Sequence, residues 1–436
     1  MARLAPLRPL VAFLVAAPAS GAGKTVTTTG LIAALRRRGL PVHPAKVGPD
    51  YIDTAFLSAA AGRPAVNLDV WAMRPALIEY LASPRHLVVE GVMGLFDGPE
   101  HGEGSSADVA RRLGLPVVLV VSAERMSHSI AALVHGFATF DPRVEIAGVV
   151  LTRVGSARHE RMLRQALAGT SVPVLGAIPR HEALSLPSRH LGLRQAREHG
   201  DLCERINAIA DVVAEHVDLS ALEALDAPRQ SALPPEPLAP LGTHIAVAQD
   251  DAFAFTYAHI LDGWQRAGAT LTPFSPLAGE APHPDADAAY LPGGYPELHA
   301  VRLRGERAWA EGLSRLADSG GQIYGECGGY MALGKVLVDG EGTAHAMAGL
   351  LPVQTSFAEP RRTLGYRRLQ HDGSALPFAP KLRGHEFHYA SQISEAGGEE
   401  GALFGVAGTG DTAFSPMGHC KGTVAGSFQH IIDAQS

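Results

Sequence analysis

The sequence predicts two doubly wound α/β domains joined by a proline-rich linker. Three observations lead there. Short apolar runs alternate with helical patterns over residues 11–220. A proline-dense stretch at 225–241 interrupts them and reads as an extended linker. The alternation then restarts at His244 with Ile245-Ala246-Val247-Ala248. The expected boundaries are 1–223, a linker at 224–243, and 244–436. Candidate strands in the first part are 11–17, 42–47, 86–92, 116–122, 144–152 and 172–178. Most are rich in Val, Ile and Leu on both faces, as buried parallel strands are. Helical stretches at 24–38, 105–113, 127–139 and 156–168 supply right-handed crossovers. The second part keeps alternating but ends strand-rich, and no internal repeat is visible.

Bulk composition narrows the function. The 436 residues are 46% hydrophobic and 19% charged, which is ordinary for a globular chain. A net charge of −7 argues against nucleic acid or an anionic membrane as the main partner. The three scattered cysteines, Cys203, Cys327 and Cys420, make neither a disulfide framework nor a zinc site, so a reducing cytoplasm is expected. Arg3 and Arg8 ahead of the apolar run 11–17 imitate a secretory leader. That run flows directly into Gly21-Ala22-Gly23-Lys24-Thr25, a phosphate-binding signature that leader cleavage would strand, so a buried first strand is expected. No apolar stretch is long enough to span a bilayer.

The phosphate signature runs from Ala17 to Thr25. Backbone N–H groups from Ser20, Gly21 and Gly23, at a helix N-terminus, suit the phosphates of ATP; Lys24 adds charge and Thr25 can ligate Mg²⁺. Pro18 stands where a standard P-loop has its first glycine. Asp50, Asp53 and Glu90 fall at expected strand ends, where open α/β sheets bind ligands. Carboxylates there suit Mg²⁺ beside phosphate oxygens, although a single acid at such a place can also cap a helix.

A second chemical centre is Gly325-Glu326-Cys327-Gly328-Gly329, between a strand-like and a helix-like run. A thiol flanked by glycines at such a turn reads as a nucleophile elbow, with the following N–H groups aimed at an oxyanion. A buried small hydrophobe in a glycine-rich bend is the competing reading. Gly293-Gly294 follows another strand and can present N–H groups beside Gly328. The base should be a histidine at the end of a strand, and His430, closing the run 424–430, fits. The other histidine cluster, His385-Glu386-Phe387-His388-Tyr389, alternates as a strand and splits its histidines between faces, which disfavours a metal site.

The chain resembles known families at these motifs. The C-terminal half is similar to class I glutamine amidotransferases, and the N-terminal half to the dethiobiotin-synthetase-like ATP-binding domain. The order of the two, with KVGPDYID at 46–53, Asn67-Leu68-Asp69, VEGVMGLFDG at 89–98, the segment 186–193 and GHEFHY at 384–389, resembles the cobyrinic/hydrogenobyrinic acid a,c-diamide synthases over nearly the whole chain. That resemblance implies ATP- and glutamine-dependent amidation of the a and c acetates of a corrin, through an acyl phosphate and channelled ammonia. Cys327 would be the nucleophile, His430 its base, and Gly294 and Gly328 the oxyanion donors. Thr25, Asp50 and Glu90 would hold Mg²⁺; Lys46, Asp50, Tyr51 and Asp53 would serve substrate activation. Composition and length lean toward metal-free hydrogenobyrinic acid over its cobalt form. A cobyric acid synthase, a nickel-sirohydrochlorin diamide synthase, or a P-loop switch ATPase with an inactive amidotransferase domain are the rivals. Oligomeric state is not readable, with a homodimer among the assemblies left open. Two departures stand out. Ile432 occupies the place of the glutamate that usually follows the histidine, and Thr152 stands where asparagine is expected beside adenine.

Overall fold

The computed structural model describes residues 10–184, 188–189, 192–193, 200–227, 231–393 and 401–435; half of the motif at 186–193 lies outside them. The chain divides into two units. The first comprises Met1–Trp71, Pro75–Pro99 and Glu103–Pro234; the second comprises Ala72–Arg74, Glu100–Gly102 and Pro235–Ser436.

The first unit is built on seven parallel strands: β1 (Val11–Ala16), β2 (His43–Val47), β3 (Val66–Leu68), β4 (His86–Glu90), β5 (Val117–Ser122), β6 (Ile146–Val154) and β7 (Val174–Pro179). Their order is β3-β2-β4-β1-β5-β6-β7. Every residue of β1 is buried, which explains its unbroken apolar run. The six expected strands are present, with ends shifted by a residue or two. The edge strand β3 was legible only as the Asn67-Leu68-Asp69 motif, because three residues leave no periodicity to read. A short hairpin, β8 (Ser188–Arg189) and β9 (Gly192–Leu193), follows.

Register places the chemistry. Lys46 pairs with Glu90 and with Asn67, and Glu90 pairs with Val15, so one row across β3, β2, β4 and β1 ends the sheet with these polar side chains. The loop after β1 then opens the helix Lys24–Arg37.

The second unit has a main sheet of β10 (His244–Ala248), β11 (Thr270–Phe274), β12 (Ala288–Leu291), β13 (Gln322–Glu326), β22 (His419–Lys421) and β23 (Val424–Ser427). Its order is β11-β10-β12-β13-β23-β22, parallel except for β22. A small sheet joins β14 (Val336–Val338), β15 (Ala344–Ala346), β16 (Gln354–Ser356) and β19 (Ser391–Gln392). A five-stranded antiparallel sheet has the order β21-β20-β17-β18-β24, formed by β17 (Thr363–Gln370), β18 (Lys381–His388), β20 (Phe404–Ala407), β21 (Ser415–Met417) and β24 (Gln429–Ala434). Expectation needs correction here. The run 424–430 is not one strand: the chain leaves the parallel sheet after Ser427 and enters the antiparallel one at Gln429. His430 is therefore the second residue of β24, paired in register with His385 of β18.

Gly30 shows how tightly the first unit packs. It sits mid-helix, where glycine ordinarily costs about 0.5–1 kcal/mol relative to alanine. A Cβ there would lie 2.5 Å from Val213 Cγ2 and 3.0 Å from Ile209 Cγ2, on the helix Leu202–His216. Gly30→Ala should therefore destabilise, by about 1–3 kcal/mol, rather than stabilise. Urea denaturation checks the sign, and Val213→Ala added to the same chain should recover most of the loss.

Candidate active site

In the first unit, Lys46 is the hub of the phosphate-side cluster. Its ammonium is 2.6 Å from Asp53 Oδ2, 3.0 Å from Glu90 Oε1 and 3.8 Å from Asp50 Oδ2. Thr25 Oγ1 donates to Glu90 Oε1 at 2.7 Å and lies 3.3 Å from Asp53 Oδ2. Lys24 donates to the Met93 carbonyl. Burial works against the charge on Lys46, but Asp53, Glu90 and Asp50 outweigh it and hold the ammonium above an ordinary lysine. For Asp53 the balance is reversed in sign: burial pushes it up, and Lys46 pulls it below the usual carboxylate range. Glu90 is pushed up to about 7 by burial, against the pull of Lys46. Asp50 rises to about 6, through burial and then the charge of Asp53. Asp50 also accepts the Asp53 N–H at 2.9 Å, so part of its work is to shape the turn into the helix Ile52–Ala61. Tyr51, half-buried, immediately precedes that helix.

Of the expected phosphate residues, Ser20 and Gly21 are exposed, Gly23 takes a left-handed φ of 92°, and Lys24 is buried. Thr152 has a different task from the adenine contact considered for that position. Its hydroxyl donates to the Ala22 carbonyl at 2.8 Å and so props the phosphate loop.

In the second unit, Cys327 joins β13 to the helix Gly328–Leu333 with φ 48° and ψ −106°. A non-glycine residue held there stores roughly 1–3 kcal/mol of strain. The turn is pinned on both sides: Cys327 N–H donates to Ser427 O at 2.8 Å, and Met331 N–H donates to Cys327 O at 3.0 Å. The thiol donates to the Phe387 carbonyl at 3.6 Å. Gly293 lies between the thiol-bearing residue and the imidazole. A Cβ on it would stand 2.4 Å from His430 Cε1, 3.2 Å from His430 Nε2 and 3.4 Å from Cys327 Cβ. Gly294 N lies 2.9 Å from where a Cβ on Gly328 would stand, so the two expected N–H donors are neighbours.

Electrostatics leave the proton on sulfur at rest. Burial, reinforced by Glu297, pushes the Cys327 thiol up. Burial, then His385 and His388, holds His430 well below an ordinary histidine. A neutral imidazole can accept a proton, and a protonated thiol has one to give. His385 stacks on His430 with ring centroids 4.7 Å apart, and the Tyr257 hydroxyl is 3.1 Å from His385 Nδ1. Glu386 is bound by Arg367 at 2.7 Å and by His388 at 2.9 Å. Among the described residues no group of three or more His, Cys, Asp or Glu side chains is arranged to hold a metal by itself.

A CobQ/CobB/MinD/ParA nucleotide binding domain matches residues 13–193, and a CobB/CobQ-like glutamine amidotransferase domain matches 244–436. The hydrogenobyrinate a,c-diamide synthase of Brucella anthropi is 54% identical, over 97% of this chain and 98% of its own. The chain belongs to the hydrogenobyrinate a,c-diamide synthase family. Two further members of that family, from Rhizobium meliloti and Rhodobacter capsulatus, are 50% and 47% identical over 96% of this chain and 98% of theirs.

Sequence reasoning missed three residues of this family member's sites: Thr152 as a loop prop, Gly293 as the spacer, and Glu326. The last is 2% exposed and lies 3.8 Å from His430 Nδ1. It ends an apolar strand before the elbow, the same signal that singled out Glu90. Gly293→Ala should push the imidazole off its position and lower glutamine hydrolysis on the order of a hundredfold, as displacements near 1 Å do. Glutamate release reads this directly, and ammonia-supported amidation should be unchanged.

Proposed function

We propose that this chain amidates the a and c acetate carboxylates of hydrogenobyrinic acid, using ATP and the amide nitrogen of glutamine, in cobalamin biosynthesis. The observation that carries the substrate is the near-full-length likeness to hydrogenobyrinate a,c-diamide synthases. The two half-sites supply the chemistry.

At the second unit, Cys327 attacks the glutamine side-chain amide and passes its proton to His430. Backbone N–H groups at Gly294 and Gly328 are the proposed oxyanion donors. His430 protonates the departing ammonia, and water then releases glutamate from the thioester. At the first unit, the loop from Ser20 to Thr25 holds the ATP phosphates. The corrin carboxylate takes the γ-phosphoryl group, giving ADP and an acyl phosphate. Activation is needed because a carboxylate is a poor electrophile. Ammonia displaces phosphate, and the amide forms. It must arrive unprotonated, since ammonium has no lone pair.

The first unit fits Mg²⁺. Glu90 Oε2 is buried without a hydrogen-bond partner, beside the Thr25 hydroxyl held on Glu90 Oε1. Thr25, Glu90 and Asp50 would hold the ion, which would neutralise phosphate charge when bound. Lys46 keeps the neighbouring carboxylates from repelling the nucleotide, and with Asp53 and Tyr51 it forms the acceptor-activating side. Three free thiols suit a reducing cytoplasm, and a net charge of −7 argues against nucleic acid. Among the described residues no helix is long and apolar enough to cross a membrane. A homodimer remains a proposal for sedimentation to test.

Two measurements test this reading. Cys327→Ala should abolish glutamine-dependent amidation and leave amidation with added ammonium salts near wild type; loss of both in a folded protein contradicts the division of labour. Wild-type enzyme offered metal-free and cobalt-containing substrate side by side should amidate the metal-free corrin far better. Preference for the cobalt form would reassign the acceptor.

A further inference from the structure

The residue that usually backs the histidine in class I amidotransferases is replaced here by Ile432, buried and apolar. We propose that Glu326, the residue immediately before the nucleophile, takes over as the acidic positioning residue of His430. The inference rests on Cys327 and His430 forming the glutaminase centre, as proposed above.

Four observations carry it. Glu326 Oε2 lies 3.8 Å from His430 Nδ1, while Nε2 lies on the side toward Gly293 and the elbow. The same carboxylate accepts the Ile431 N–H at 3.0 Å, which ties the backbone carrying His430 to the end of β13. Two buried hydroxyls, Tyr290 at 2.8 Å and Tyr324 at 3.2 Å, donate to its oxygens and fix its plane. A cavity of about 10 Å³, bordered by Trp264, Tyr290, Tyr324 and Glu326, gives room for one water-sized molecule beside it and little more. The carboxylate is thus enclosed and held from several directions, with Oε2 on the side of the imidazole.

The other candidates fail on charge or on commitment. His385, stacked on His430, is held down to about 3 by burial and then by Arg367, so it is neutral and offers no negative charge. Glu386 already faces a cation, the Arg367 guanidinium at 2.7 Å, and also bonds His388 at 2.9 Å, whereas the donors on Glu326 are neutral. When His430 takes the thiol proton it becomes a buried cation, and Glu326 is the anion placed to receive it. The arrangement inverts the usual chain order. The acid ends β13 and the nucleophile follows it at the turn, so one elbow positions both the sulfur and the carboxylate.

Glu326 is pushed up to about 7 by burial, against the Ile431 N–H and the hydroxyls of Tyr290 and Tyr324. The titratable groups facing it are Tyr290 from β12, Tyr324 from its own strand, His430 from β24 and the adjoining Cys327; His385, His388 and Glu386 surround His430 in turn. As pH falls through about 7 the carboxyl gains its proton and loses its charge, so glutamine hydrolysis should decline on that side.

Glutamate release and ammonia-supported amidation, each followed against pH in the full-length enzyme, test the proposal. Glu326→Gln keeps the size of the side chain and removes the charge. It should lower kcat for glutamine hydrolysis roughly a hundredfold or more, leave KM for glutamine near wild type, erase the acid limb near neutrality, and preserve ammonia-supported amidation. Tyr290→Phe keeps the carboxylate but removes a donor to it, so it should move the acid limb to higher pH with a smaller loss of kcat. Wild-type kcat in folded Glu326→Gln, or an acid limb unmoved in both variants, overturns the role of Glu326 alone. A wild-type enzyme without glutaminase activity overturns the underlying reading with it.

Discussion

Each unit is organised around a carboxylate buried at the last residue of a parallel strand. Glu90 ends β4 and is fully buried; Glu326 ends β13 and is 2% exposed. Removing an ionised carboxylate from water costs several kcal/mol even after the protein relaxes. Such a group persists only where partners surround it, and the partners then have little freedom. Around Glu90 they are Lys46 and Thr25, which fixes the phosphate loop relative to the ends of β2 and β4. Around Glu326 they are Tyr290, Tyr324 and the Ile431 N–H, which fixes the elbow relative to the strand that carries His430. The same electrostatic demand, met with a cation in one unit and with neutral donors in the other, yields sites of opposite chemistry. The first is charged and ready for phosphates. The second is nearly shut off from solvent, and its burial favours the proton on sulfur.

Geometry around the thiol follows from that dryness. A buried thiolate facing a buried imidazolium would be two charges with little solvent, so the neutral pair is the stable resting form. Strain at Cys327 and the missing side chain of Gly293 bring the groups together without paying for charge separation in advance. The antiparallel sheet contributes through register: His430 and His385 sit opposite each other on β24 and β18, and the Phe387 carbonyl on β18 receives the thiol. The strand-rich end of the chain thus carries the imidazole, and the parallel sheet leads into the thiol.

Much of this was legible in the sequence for physical reasons. Buried parallel strands write themselves as unbroken Val/Ile/Leu runs, and phosphate loops need glycine, lysine and threonine at fixed spacing. β1 and the loop to Thr25 were therefore readable residue by residue. The short strand β3 was not, since three residues show no period. The break at Phe428 was hidden because 424–430 has no proline and no Asp, Glu, Lys or Arg to mark it, and nothing local records a change of sheet. Glu326 was quoted as part of the elbow, yet its role depends on Ile431, 105 positions away, and on hydroxyls from two strands. Thr152 was read through the likeness alone, and its bond to Ala22 depends on β6 lying close to the phosphate loop.

The two half-reactions meet in one product, so following atoms is the sharpest test of their coupling. Hydrogenobyrinic acid carrying ¹⁸O in its a and c carboxylates should be turned over with ATP and [amide-¹⁵N]glutamine. If the carboxylate is phosphorylated and then aminated, each amide formed carries ¹⁵N, and one ¹⁸O per amide appears in inorganic phosphate. Phosphate free of ¹⁸O, with amide still formed, would contradict the acyl phosphate and with it the assignment of the two sites.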